Sequence, residues 1–66
     1  MNSLPKAVSI VMRSFNEAWA IGETIQQVFN QDFEGEIELI VIDSGSSDGS
    51  IEIIKNSGRA RLIQIP

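Results

Sequence analysis

The run Glu38-Leu39-Ile40-Val41-Ile42-Asp43-Ser44-Gly45-Ser46-Ser47-Asp48-Gly49-Ser50 decides the fold. Its four consecutive apolar residues, Leu39 to Ile42, close a stretch that begins at Glu36 with polar–apolar alternation. Such a run suits a strand covered on both faces, as in a parallel sheet flanked by helices. The strand ends at Asp43, and Ser44 to Ser50 is a loop rich in turn formers. A helix is expected next, from about Asp48 to Asn56. Ser47 reads as its cap, Asp48 suits the positive helix start, and Gly58 reads as its stop.

Upstream, Ala7 to Met12 (A-V-S-I-V-M) is β-branched and mostly apolar, and reads as a first strand. From Ala18 the period changes. Ala18, Ile21, Ile25, Val28 and Phe29 follow helical spacing, with Glu23, Gln26, Gln27 and Asn30 on the other face. Asn16 is the expected N-cap of this helix, because its side-chain oxygen can accept from a first-turn amide. Gly22 lowers helix propensity without breaking the helix, and Trp19 is expected in the first turn, covering the sheet edge. Asp32 to Gly35 reads as a turn and Arg61 to Ile65 as a third strand, while residues 1–6 form a short polar leader containing Pro5. The fold class is α/β. The order β-α-β-α-β, with right-handed crossovers, gives half of a doubly wound, Rossmann-like parallel sheet.

Composition narrows the function. The 66 residues hold one small domain, with 42% hydrophobic and 21% charged residues, as in an ordinary globular chain. No apolar run exceeds four residues, so these residues contain neither a transmembrane helix nor the apolar core of a signal peptide, and a cytoplasmic location is the default expectation. There is no cysteine and no histidine, which removes disulfides, thiolate zinc sites and the commonest general base. A net charge of −4 argues against a nucleic-acid partner. A domain of this length buries only about 60% of its unfolded surface. The sequence therefore reads as a truncated piece of a larger domain, whose unpaired sheet edges would allow self-association.

In open α/β sheets, ligands bind outside the carboxyl ends of the strands. Two such ends are present: Arg13-Ser14-Phe15-Asn16-Glu17 and Asp43-Ser44-Gly45-Ser46. If the strands are neighbours, both loops open on one crevice. There Asp43 could accept from a nucleobase or ribose hydroxyl, or merely from turn amides. Phe15 could pack against a base and Arg13 could meet a phosphate, or both could be ordinary surface residues. G-x-G-x-x-G and Gly-Lys-Ser/Thr are absent, and the position that needs glutamate in a calcium loop is Ile54 or Lys55. Glu34, Glu36 and Glu38 read as a solvated strand face. Gly45-Ser46-Ser47-Asp48-Gly49 satisfies G-x-S-x-G, which would make Ser47 the nucleophile of a serine hydrolase, but that chemistry needs a base and no histidine is available. A non-catalytic α/β interaction module is the third reading.

Two linked motifs now carry a resemblance. Val8-Ser9-Ile10-Val11-Met12-Arg13-Ser14-Phe15-Asn16-Glu17-Ala18, followed by Glu38 to Ser50, resembles the amino-terminal part of a family-2, inverting glycosyltransferase with the GT-A fold. The similarity covers nearly all of residues 7–65. It implies that residues 7–66 are the nucleotide-sugar-binding part of such a domain, with a nucleotide-diphosphate sugar as donor. By position, Arg13, Ser14 and Phe15 line the nucleoside pocket, with Glu17, Asp43 and Ser44 at the same crevice. Arg13 departs from the family's usual Pro or Thr, and Ser44 from its frequent second Asp. The resemblance also implies a divalent metal, Mg or Mn, held by an Asp-x-Asp. No Asp-x-Asp occurs here, so the metal ligands and the catalytic base are expected outside this chain.

Overall fold

In the computed structural model, residues 7–31 and 33–66 are described. The six-residue leader, and Asp32 of the expected turn, lie outside them. Five elements follow one another: β1 (Ala7–Ser14), α1 (Ile21–Phe29), β2 (Glu36–Asp43), α2 (Ser50–Ser57) and β3 (Ala60–Gln64). The strands form one parallel sheet in the order β1-β2-β3. The β-α-β-α-β order and the parallel pairing agree with the Rossmann-like expectation.

Register places the core. Ile10 pairs with Leu39, Met12 with Val41 and Ser14 with Asp43, while Ala60 and Leu62 stand across from Leu39 and Val41. These positions share one face, since alternate residues of a strand point the same way. Ile21, Ile25 and Val28 of α1 and Ile54 of α2 pack on that face with Leu39 and Val41 to form the buried core. Gly22 sits where the helices meet: a Cβ there would stand 3.4 Å from Ile53 Cγ2, at contact distance.

Both helices of the described residues thus lie on one face of the sheet. On the other face Ile40 and Ile42 are only half-buried, and Val11 and Ile63 are exposed. Glu36 and Glu38 lie exposed at the amino end of that face, where Glu38 accepts from Ser9 Oγ at 2.9 Å.

Element boundaries differ from the sequence reading for identifiable reasons. β1 runs two residues further, to Ser14, because pairing with Ile42 and Asp43 continues through Arg13 and Ser14. α1 starts at Ile21, not Ala18. Glu17 O accepts from both Ala20 N and Ile21 N, which makes residues 17–20 a turn, and Asn16 lies at φ 50 outside the helix. The N-cap position is Ala20, with no side-chain cap. Trp19 is 85% exposed in this turn and covers nothing. α2 starts at Ser50, two residues late, because Gly49 at φ 99 takes a left-handed conformation that interrupts the helix. Its end is as expected: Gly58, at φ 68, donates its N–H to Lys55 O. β3 is Ala60–Gln64, one residue earlier than expected, although Ile65 N still donates to Asp43 O at 2.9 Å.

Candidate functional site

Alternation along the strands sorts the residues at their carboxyl ends. Ser14 and Asp43, paired across β1 and β2, turn inward and are buried. Arg13 and Phe15, on either side of Ser14, are exposed, as is Ser44 after Asp43. Ser44 N donates to Ser14 O at 3.2 Å, which carries the pairing one step beyond the strands and sets Phe15 beside Ser44.

Asp43 is fully buried yet serves its own loop. Gly45 N and Ser46 N donate to Oδ1 at 2.9 and 2.7 Å, and Ser46 Oγ donates to Oδ2 at 2.5 Å. Burial alone would raise this carboxyl's pKa. The hydrogen bonds from the Ser46 hydroxyl and then from the Ser46 and Gly45 amides outweigh it and hold the group below its ordinary value. The Ser14 hydroxyl adds to that effect by proximity. It does not meet hydrogen-bond geometry, so Ser14 Oγ is buried without a partner.

The two loops are tied to each other. Three successive amides of the first loop donate to side chains of the second: Asn16 N to Ser46 Oγ at 2.8 Å, Glu17 N to Ser50 Oγ at 3.0 Å, and Ala18 N to Asp48 Oδ2 at 3.0 Å. In return, Ser47 N donates to Asn16 Oδ1 at 2.8 Å. Each serine passes the interaction on to a carboxylate, Ser46 to Asp43 and Ser50 to Asp48 Oδ1, the latter at 2.6 Å. Asp48 Oδ1 also accepts from Ser50 N, so Asp48, not Ser47, satisfies the start of α2. The hydrogen bonds from Ser50 Oγ and Ala18 N lower the Asp48 pKa.

This clasp explains why the helix is not capped by Asn16: its side chain and the amides that would begin the helix are engaged by the other loop. Asn16, Ser46, Asp48 and Ser50 are the site residues that sequence reasoning missed. For the last three the signal was present as a Ser-x-Asp-x-Ser spacing, all residues that bind nearby backbone groups. Ser47 is exposed, contributes its amide to the clasp, and sits in a chain with no histidine to activate it.

With these groups engaged, the outward-facing side chains include Arg13, Phe15, Ser44 and Ser47, with the half-buried Glu17 beyond the turn at Asn16. The described residues also line two cavities elsewhere. One, of about 460 Å³, lies between α1 and α2 and is bordered by Gln26, Ile53 and Arg59; the other, of about 580 Å³, lies at the amino ends of β1 and β2. Neither includes a residue of the two carboxyl-end loops.

Comparison with known proteins bears on this pair of loops directly. The model of glycosyl transferase family 2 matches residues 9–66, a span that contains both loops and all three strand ends. The chain belongs to that family. Among its relatives, an uncharacterized glycosyltransferase of Haemophilus influenzae is 45% identical over 74% of this chain and 19% of its own length. The Bacillus subtilis protein EpsE, named as a glycosyltransferase, is 38% identical over 97% of this chain and 24% of its own. The glycosyltransferase AglJ of Haloferax volcanii is 35% identical over 91% and 19%. The family-2 chain described here therefore spans about a fifth to a quarter of the length of these curated relatives.

A divalent metal does not fit the family-2 residues present. Among the described residues no group of three or more His, Cys, Asp or Glu could hold one, and both loop aspartates are engaged by amides and hydroxyls. No helix among the described residues is long and apolar enough to cross a membrane.

Proposed function

We propose that residues 7–66 are the donor-nucleoside end of a glycosyltransferase. A nucleotide-diphosphate sugar would lie across the carboxyl ends of β1 and β2, and the whole protein would transfer the sugar to an acceptor hydroxyl with inversion. The observation that carries this reading is the division of labour at the strand ends. Asn16, Asp43, Ser46, Asp48 and Ser50 fix the two loops to each other. A cation, an aromatic ring and a hydroxyl (Arg13, Phe15 and Ser44) are left facing out. That set suits a flat base attached to an anionic diphosphate.

In this reading Phe15 carries the base and Ser44 bonds its edge or the ribose. Glu17 accepts from a ribose hydroxyl. Asp43 and Ser14 act from below, holding the loop that presents Ser44. The transfer is a single displacement. The acceptor oxygen bonds to the anomeric carbon as the carbon–oxygen bond to the diphosphate breaks, and the acceptor's proton passes to a carboxylate base. We place that base, and the ligands of the metal that the family's chemistry calls for, outside residues 7–66.

The test is a titration of the isotopically labelled 66-residue chain with a nucleoside diphosphate, followed by amide chemical shifts. Saturable shifts are expected at Arg13–Glu17 and Asp43–Ser47. Shifts confined to the groove between α1 and α2, or no saturation, would overturn the assignment.

A further inference from the structure

We infer that Arg13 sets the base preference of this site, and that it favours guanine over uracil. The inference rests on the donor-nucleoside reading above and concerns which base that site accepts.

Arg13 is exposed near the end of β1, and its side chain makes no hydrogen bond or ion pair among the described residues. Its position limits what it can reach. Arg13 and Phe15 both turn outward around the buried Ser14, two residues apart and so roughly 7 Å along the strand. A base resting on Phe15 therefore presents its edge within the span of an arginine side chain.

The hydrogen-bonding character of that edge is then decided by what the clasp leaves over. Asp43 is buried with both oxygens engaged, and both oxygens of Asp48 accept from Ser50 and Ala18. Asp43 is buried beneath the loop and Asp48 is turned to Ala18 and Ser50, so neither carboxylate is set on the outward face that Arg13 and Phe15 share. Arg13 offers only donors, in a planar fork. A fork of donors pairs with two adjacent acceptors, and guanine presents O6 and N7 side by side. Adenine sets a donor beside N7 instead, which the fork would oppose.

The test compares GDP, IDP, 7-deaza-GDP, UDP and inorganic pyrophosphate as ligands of the 66-residue chain by calorimetry, with Arg13→Gln alongside. GDP is expected to bind about tenfold more tightly than UDP. IDP, which keeps O6 and N7, should match GDP, and 7-deaza-GDP, which lacks the N7 acceptor, should fall towards UDP. Arg13→Gln should remove the preference, costing GDP clearly more affinity than UDP. Equal binding of GDP and UDP would overturn the inference and leave the donor-site reading standing. So would an Arg13→Gln loss shared equally by GDP, UDP and pyrophosphate, because it would make Arg13 a phosphate contact. If no nucleotide binds, the donor-site reading falls and takes this inference with it.

Discussion

Glu17 and Ser50, 33 residues apart in sequence, meet in one hydrogen bond: the Glu17 N–H donates to Ser50 Oγ at 3.0 Å. Ser50 is fully buried and donates a hydrogen bond from its own hydroxyl to Asp48 Oδ1. The first residue of α2 thus ties the loop that precedes α1 to the loop that precedes α2.

Replacing Ser50 with Ala should be among the more harmful polar substitutions in the chain. It strands the Glu17 N–H and removes a donor to Asp48, and it should lower unfolding stability by about 1–3 kcal/mol. Urea denaturation checks this. Asp48→Ala shares the same network, so combining the two should cost less than the sum of the separate changes.

Asn16 has two jobs that substitution can separate. Its side chain accepts from Ser47 N, and its backbone sits at φ 50, which asparagine tolerates better than most residues. Asn16→Gly loses only the side-chain bond, for about 1 kcal/mol. Asn16→Ala loses the bond and strains the backbone as well, and should unfold at lower denaturant than the glycine variant. Equal midpoints would show that the conformation carries no energy.

Acid should loosen the carboxyl edge. Asp43 and Asp48 both titrate below the ordinary value of 3.8 in the folded chain. The unfolded chain therefore takes up protons first as pH falls. The stability these groups add is complete above the unfolded value and is lost as pH drops through the lower folded values. Unfolding midpoints measured between neutral pH and pH 2 should fall in that acid range. Asp43→Asn should flatten the dependence.

Gly22→Ala should stabilise the protein. The added methyl meets Ile53 Cγ2 at 3.4 Å, an ordinary contact, and the helix gains up to about 1 kcal/mol of propensity. A raised thermal midpoint with unchanged nucleotide binding is expected, because Gly22 borders the groove between the helices and not the strand ends.

Phe15→Ala separates binding from folding in the opposite sense. The ring is 56% exposed, so its loss should change stability by no more than about 0.5 kcal/mol. Nucleoside diphosphate affinity should fall about tenfold, as expected for loss of a stacking partner. Calorimetry and urea melts on the same variant read the two effects.

The order of elements was legible from periodicity alone. The apolar run Leu39 to Ile42 specifies β2, the 3.6-residue spacing of Ile21, Ile25 and Val28 specifies α1, and Gly58 marks the end of α2. These signals are local: each depends on side chains within one element and on the conformations its own backbone can adopt. The resemblance carried by Val8 to Ala18 and by Glu38 to Ser50 was likewise readable in the chain, and it led to the right family.

What the sequence could not decide was where each helix begins and which loop residues face outward. Asn16 and Ser47 both have the chemistry of helix caps, and local rules assign them so. Folding brings the two loops together and gives their amides and side chains to each other instead, so that neither residue caps a helix. Asp43 turned inward and Arg13 outward for a related reason. Register between β1 and β2 fixes which alternate residues share the helix-covered face, and register exists only once the strands have paired. The sequence by itself determined the strands, the helices and the family. Pairing and loop contact, which join residues some thirty positions apart, decided which of its polar groups hold the fold and which remain free to bind.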